Sequence, residues 1–126
     1  MKFKIILIVT ILLTACVFDS GGSEIVDDYT ISWIDTKCTM TIVRGPIGQM
    51  EGQIYSIGWN ADFIIAKRHP KCDQSITDYF IIDIEKNAVG SEDARLGVFG
   101  PFNEVDFKLK RKEFRLSNSM DFTLEP

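Results

Sequence analysis

Phe63-Ile64-Ile65-Ala66 and Tyr79-Phe80-Ile81-Ile82 are the two stretches on which the fold turns. Each is apolar at every position, and Ile, Phe and Tyr side chains suit a pleated surface. A strand lying half in water alternates apolar with polar residues. One that is apolar on both faces sits inside a sheet that is covered on both sides. The second stretch extends from Asp78 to Glu85. Phe80, Ile82 and Ile84 share one face; on the other, Tyr79 and Ile81 give way to Asp83 and Glu85.

Working outward, shorter runs rich in Ile, Val, Thr, Tyr and Trp read as further strands separated by turn residues. Tyr29 to Ile34 alternates Tyr29, Ile31 and Trp33 against Thr30 and Ser32. Thr39 to Arg44 follows an Asp35-Thr36-Lys37 turn and stops at Gly45-Pro46-Ile47-Gly48, where proline lacks the ladder donor. Gln53 to Trp59 places Tyr55, Ile57 and Trp59 on one face, and Asn60-Ala61-Asp62 connects it to Phe63 as a hairpin. A cover for the doubly apolar strands follows Gly100-Pro101. Asn103 could cap a helix there, with Asp106 three residues on as an imperfect capping box; Glu104 and Asp106 would then sit at its positive end and Lys110, Arg111, Lys112 and Arg115 at its negative end. Phe107 and Phe114, seven residues apart, then share a face. Val105, Phe107 and Leu109 also alternate as a strand would, so periodicity alone leaves both readings open. Met120, Phe122 and Leu124 alternate and read as a short edge strand. The expected fold is α+β: an antiparallel β-sheet of five or six strands with one C-terminal helix packed on it.

The first residues follow another logic. Lys2 and Lys4 precede the apolar run Ile5 to Leu13, broken only by Thr10. The run is too short to span a bilayer, which takes about 20 residues, and reads as an export signal. Leu13-Thr14-Ala15-Cys16 resembles the bacterial lipobox. That resemblance implies diacylglyceryl transfer to the Cys16 thiol, cleavage before it, and a protein held on the membrane by its acyl chains. Val17, where an aspartate would signal inner-membrane retention in enteric-type bacteria, favours an outer membrane facing the periplasm if the host has one. The expected organisation is residues 1–15 as signal peptide, 16–28 as lipidated Cys and Gly/Ser-containing flexible tether, and 29–126 as a single small β-rich domain. Removing residues 1–15 takes the chain from 126 residues to 111 and, with Lys2 and Lys4 gone, the charge from −4 to −6.

With 45% hydrophobic and 25% charged residues the chain is too apolar to be disordered. Its negative balance argues against nucleic acid, which is bound by clustered Lys and Arg. Of three cysteines, Cys16 is taken by lipid, leaving Cys38 and Cys72 as the expected disulfide of an exported protein. A zinc site from Cys38, His69 and Cys72 lacks the Cys-x-x-Cys pair that makes such patterns specific; neither metal nor cofactor is expected. The disulfide conflicts with a strict meander, which sets Cys38 and Cys72 at opposite ends of one sheet. Six residues of strand span about 20 Å, against the roughly 6 Å that a disulfide allows between Cα atoms. Either the long turn from Gly45 to Gly52 redirects the chain or the bond is absent, and the strict meander is the first assumption to give up.

Catalytic signatures are thin. His69 is the one histidine, in a basic loop Lys67-Arg68-His69-Pro70-Lys71, and no nucleophile elbow, phosphate loop or His-Glu-x-x-His accompanies it. Asp83 and Glu85 on one strand face suggest paired carboxylates of glycosidase type, though alternating acidic residues at a strand's end are more often its solvent side. Lys108 to Arg115 suits anionic lipid head groups or, more simply, a helix C-terminus. Trp33, Tyr55, Trp59 and Tyr79 are the candidate binding face, set against an ordinary core role. Ile57-Gly58-Trp59-Asn60, Phe63-Ile64-Ile65-Ala66-Lys67, Tyr79-Phe80-Ile81-Ile82-Asp83 and Gly100-Pro101 together resemble small uncharacterised bacterial lipoprotein families. That likeness implies no activity. The expectation is a membrane-anchored, non-enzymatic lipoprotein that binds another cell-envelope protein. The alternative is an inhibitor or immunity protein against a toxin or cell-wall hydrolase, helped by opposite charge.

Overall fold

The doubly apolar strands are buried from both sides, but by two different covers. The computed structural model describes residues 20–34, 36–45, 47–49, 52–87, 95–116 and 120–122. The chain runs β1 (Ser20–Glu24), β2 (Tyr29–Ile34), β3 (Thr36–Arg44), β4 (Ile47–Gly48), β5 (Ile54–Trp59), β6 (Phe63–Arg68), a 3₁₀ turn (Pro70–Cys72), β7 (Asp78–Asp83), β8 (Val98–Phe102) and α1 (Glu104–Glu113). The first four strands form one antiparallel sheet in the order β1-β2-β3-β4, and the last four a second in the order β5-β6-β7-β8.

The α+β class therefore holds, whereas the expected single sheet of five or six strands is two sheets of four. Between them lies one core: Tyr29 and Ile31 of β2, Met40 and Ile42 of β3, Ile54 and Ile57 of β5, Ile64 and Ala66 of β6, Phe80 and Ile82 of β7, then Ile84. The opposite face of the second sheet carries a second core, in which Ile65 and Ile81 meet Phe107 of α1, Leu116 and Met120. Phe63, Tyr79, Phe99, Phe102, Phe114 and Phe122 pack around them. One face of β6 and β7 thus serves the sandwich and the other serves the helix, which is why neither strand tolerates a polar alternation.

The helix reading prevails over the strand reading for a local reason. Asn103 Oδ1 accepts the Asp106 N–H at 2.8 Å, satisfying a donor that the first helical turn leaves without a partner. Phe107 is then buried, while Val105 and Leu109 are exposed. Met120 and Phe122 were expected in an edge strand; the described residues 120–122 form none and lie instead across the second sheet. Gly58 admits them. A Cβ there would collide with the Asp121 carbonyl, whose carbon lies 2.8 Å from the added atom.

Several boundaries differ from expectation, among them Ile47–Gly48, which was expected to stop a strand and instead forms β4. Ser20–Glu24, read as tether, pairs with β2 from Ser20↔Ile34 to Glu24↔Thr30. Ladder hydrogen bonds come from the backbone, so a Gly/Ser segment fills the open edge of β2 without apolar side chains. β3 begins at Thr36, within the expected turn. β8 was not anticipated: Gly100 and Pro101 interrupt its pattern, and the ladder accommodates them at a bulge on the sheet edge, between Tyr79↔Phe102 and Ile81↔Phe99. The export signal, Cys16 and Leu124 lie outside the described residues.

The sandwich is tied at both ends of β3. At one end Cys38 meets Cys72 of the 3₁₀ turn at disulfide distance, with Cα atoms 6.0 Å apart. The conflict with a meander disappears because the chain changes sheets after β4, laying β3 over β5 rather than extending one sheet. At the other end Arg44 donates from Nε to Asp28 Oδ1 (2.8 Å) and from Nη1 to the Tyr29 hydroxyl (3.1 Å) and the Ile84 carbonyl (3.3 Å). The Tyr29 hydroxyl in turn donates to Asn87 Oδ1 at 2.6 Å, and the Asn87 amide donates to the Leu96 carbonyl at 2.7 Å.

Candidate functional site

The most elaborated surface surrounds the disulfide, and a bulge in β5 creates it. Ile54 pairs with Arg68 and Ser56 with Lys67, so Tyr55 is an extra residue in its strand. The bulge turns both Ile54 and Ile57 into the sandwich and re-aims Tyr55, which therefore does not share a face with Ile57 as strict alternation had it. The Tyr55 ring lies flat on His69, with centroids 3.8 Å apart and planes 5° from parallel. Its hydroxyl is 3.1 Å from Thr77 Oγ1.

His69 is held from two sides. Its N–H donates to the Gln53 carbonyl at 3.0 Å, and its Nδ1 lies 3.0 Å from the Ile76 carbonyl. A carbonyl only accepts, so as a hydrogen bond this contact has Nδ1–H as its donor. Gln53 Oε1 accepts the Lys71 N–H at 2.8 Å. Three non-glycine residues at this corner have left-handed backbones: Gln53 (φ 80°), Lys71 (φ 55°) and Cys72 (φ 59°). Each such residue costs of order 1 kcal/mol or more, and such residues concentrate at functional surfaces. Asp73 follows the turn; the Ser75 hydroxyl (2.6 Å) and N–H (3.0 Å) both donate to its Oδ1 and hold its carboxyl below the usual carboxylate range.

Cys38, Gln53, Ile54, Tyr55, His69, Cys72 and Gln74 line a cleft of about 290 Å³ at this corner. Its walls are a stacked ring pair, side-chain amides and a disulfide. These groups recognise: rings supply flat apolar contact and amides supply directional hydrogen bonds.

The aromatic residues proposed from the sequence do not share one face. Trp33 and Trp59 pack against the sandwich core. Tyr79 lies on the far side of the second sheet, stacked on Phe107 at 4.7 Å. Burial, Glu104 and Tyr55 all raise its phenol above the ordinary tyrosine range. Only Tyr55 stands at the cleft, and its partner His69 was read from the sequence as a loop residue. Asp83 and Glu85 do not share a strand face either. β7 ends at Asp83, whose Oδ1 accepts the Lys86 N–H at 3.3 Å, and Glu85 is exposed in the turn. Among the described residues, no group of three or more His, Cys, Asp or Glu side chains is gathered where a metal ion would sit.

A smaller cavity of about 180 Å³ lies between Gln49, Arg68, Phe80, Arg95, Val98, Gly100 and Pro101. Arg68 donates to Asp78 Oδ2 at 2.7 Å and lies 4.8 Å over the Phe80 ring. Gln49 is buried; its amide nitrogen reaches the Ile47 carbonyl, while its Oε1 accepts no hydrogen bond among the described residues. A buried acceptor left so is normally met by an ordered water.

Residues 27–125 match the family described as "Protein of unknown function (DUF3997)". The chain belongs to the DUF3997 family. The matched span takes in β2 to β8, α1 and the residues that cross Gly58, and so both cores. Neither a curated protein nor a solved structure matches the chain.

Proposed function

We propose that this DUF3997 protein is an exported lipoprotein, anchored by acyl chains on Cys16, whose domain binds another protein of the cell envelope without catalysing a reaction. The address rests on the lysine-led apolar run and the lipobox-like Leu13-Thr14-Ala15-Cys16. Among the described residues no helix is long and apolar enough to cross a membrane, and the proposed anchor needs none. If the host has an outer membrane, Val17 favours a place on it, facing the periplasm.

The observation that carries the binding reading is the Tyr55–His69 stack on the cleft beside Cys38 and Cys72. Rigid rings on a surface held by a cross-link lose little conformational entropy on contact, a feature of binding hot spots. The test is capture of cross-linked partners by the tagged chain in its own host. Retrieval of an envelope protein, lowered at least tenfold by Tyr55→Ala, is the expected result. Retrieval of none, or equal retrieval by the variant, ends the reading.

A second reading, an inhibitor or immunity protein against a toxin or wall hydrolase, is favoured by the charge of −6 that remains after removal of residues 1–15. Basic targets associate faster with an acidic partner. A deletion strain that is no more sensitive to such enzymes than its parent speaks against it.

A further inference from the structure

Helix α1 leaves an unusual face in water. At 100° per residue, Val105, Lys108, Leu109 and Lys112 fall within an arc of about 100°, opposite the arc of Phe107 and Phe114. Val105 is 68% and Leu109 60% exposed, though both are large apolar side chains one turn apart. Lys108 and Lys112 are exposed beside them. The Lys108–Glu104 pair (3.1 Å) is an open-water contact with both side chains more than 60% exposed, the kind that contributes little and rearranges freely. Lys108, Arg111 and Lys112, with Leu116 and Asp121, also line a groove of about 300 Å³ at the flank. From 104 to 115 there are five Lys or Arg against three Asp or Glu, a local charge of +2 within a chain of −4.

We propose that this face of α1 docks on an anionic phospholipid surface, with Val105 and Leu109 entering the acyl boundary and Lys108 and Lys112 meeting the phosphates. Lysine stems lie along apolar surface while their ammonium groups stay at head-group level, which is the arrangement of an interfacial helix. Charge selects the occupant: an acidic domain held near an anionic surface is repelled everywhere except through its basic face. The proposal goes beyond the lipid anchor but rests on the membrane address that the anchor supplies.

The test uses the full-length chain reconstituted with vesicles of phosphatidylcholine alone or mixed with phosphatidylglycerol. Flotation reports membrane association, and an environment-sensitive fluorophore on Leu109→Cys reports the helix face. The expected result is a blue-shifted emission on the phosphatidylglycerol vesicles alone. Lys108→Glu with Lys112→Glu should weaken that response by on the order of tenfold, with the unfolding midpoint unchanged as proof of folding. Flotation on both compositions with no lipid-dependent shift overturns the docking, keeps the anchor, and leaves the face to an acidic protein. Flotation on phosphatidylglycerol alone supports docking and removes the anchor. Flotation on neither removes both.

Discussion

The Tyr29 hydroxyl donates to Asn87 Oδ1 at 2.6 Å and accepts from Arg44 at 3.1 Å, inside a side chain that is fully buried. Burial pushes its pKa up to about 12 from 10, Arg44 pulls it down, and Asp28, Asp27 and Asp83 add to the rise. The folded state therefore holds this proton more tightly than the unfolded chain. Stability from this group is complete below pH 10 and is lost as pH climbs through about 12, at up to about 1.4 kcal/mol per unit. Tyr29→Phe should lower stability at pH 7 by about 1–3 kcal/mol and flatten the decline between pH 10 and 12, read from urea midpoints. A variant that declines as steeply as the parent would place the titration elsewhere. Gly58 is the second residue on which the fold depends locally, because Asp121 crosses over it. Gly58→Ala should cost about 1–3 kcal/mol by displacing that crossing, and the loss should show as early hydrogen exchange at residues 120–122.

Elements were legible where a local rule and burial agreed. β2, β6 and β7 announce themselves through Tyr29, Phe63 and Tyr79, each heading a run whose apolar faces match the two cores. Asn103 and the charges that follow it announce α1. β1 and β8 were hidden for the same reason: an edge strand needs only backbone partners, so Gly21, Gly22, Gly100 and Pro101 disguise it. At the site, Tyr55 was visible as an aromatic residue and His69 as the one histidine. Their stacking was not, because it depends on a bulge that only the pairing of β5 with β6 reveals. The element that holds this corner is the Cys38–Cys72 link, spanning 34 residues of sequence. Cys38→Ala with Cys72→Ala should lower the unfolding free energy by about 3–4 kcal/mol and, at the same time, loosen the Tyr55–His69 stack. Equal stability of the variant and the oxidised parent would contradict a bond at this position.

At the scale of the whole molecule, β1 changes how close the domain sits to its proposed anchor. Pairing from Ser20 onward leaves four residue steps from Cys16, a reach of about 14 Å at most, where a tether ending at residue 28 would have allowed several times that. Cys16→Ala should abolish palmitate incorporation and move the chain out of the membrane fraction; retention of either by the variant removes the lipid-anchor reading. The sequence by itself determined the α+β class and the covered character of β6 and β7, and it pointed to a helix capped by Asn103 and to Cys38 and Cys72 as a pair. Each of these is written in local pattern, in burial demanded by composition, or in residue chemistry. Tertiary structure alone decided that the strands divide into two sheets, that β1 and β8 close their edges, and that Tyr55 and His69 meet beside the disulfide. These features depend on backbone pairing between segments distant in sequence, and ladder hydrogen bonds leave almost no trace in side-chain identity.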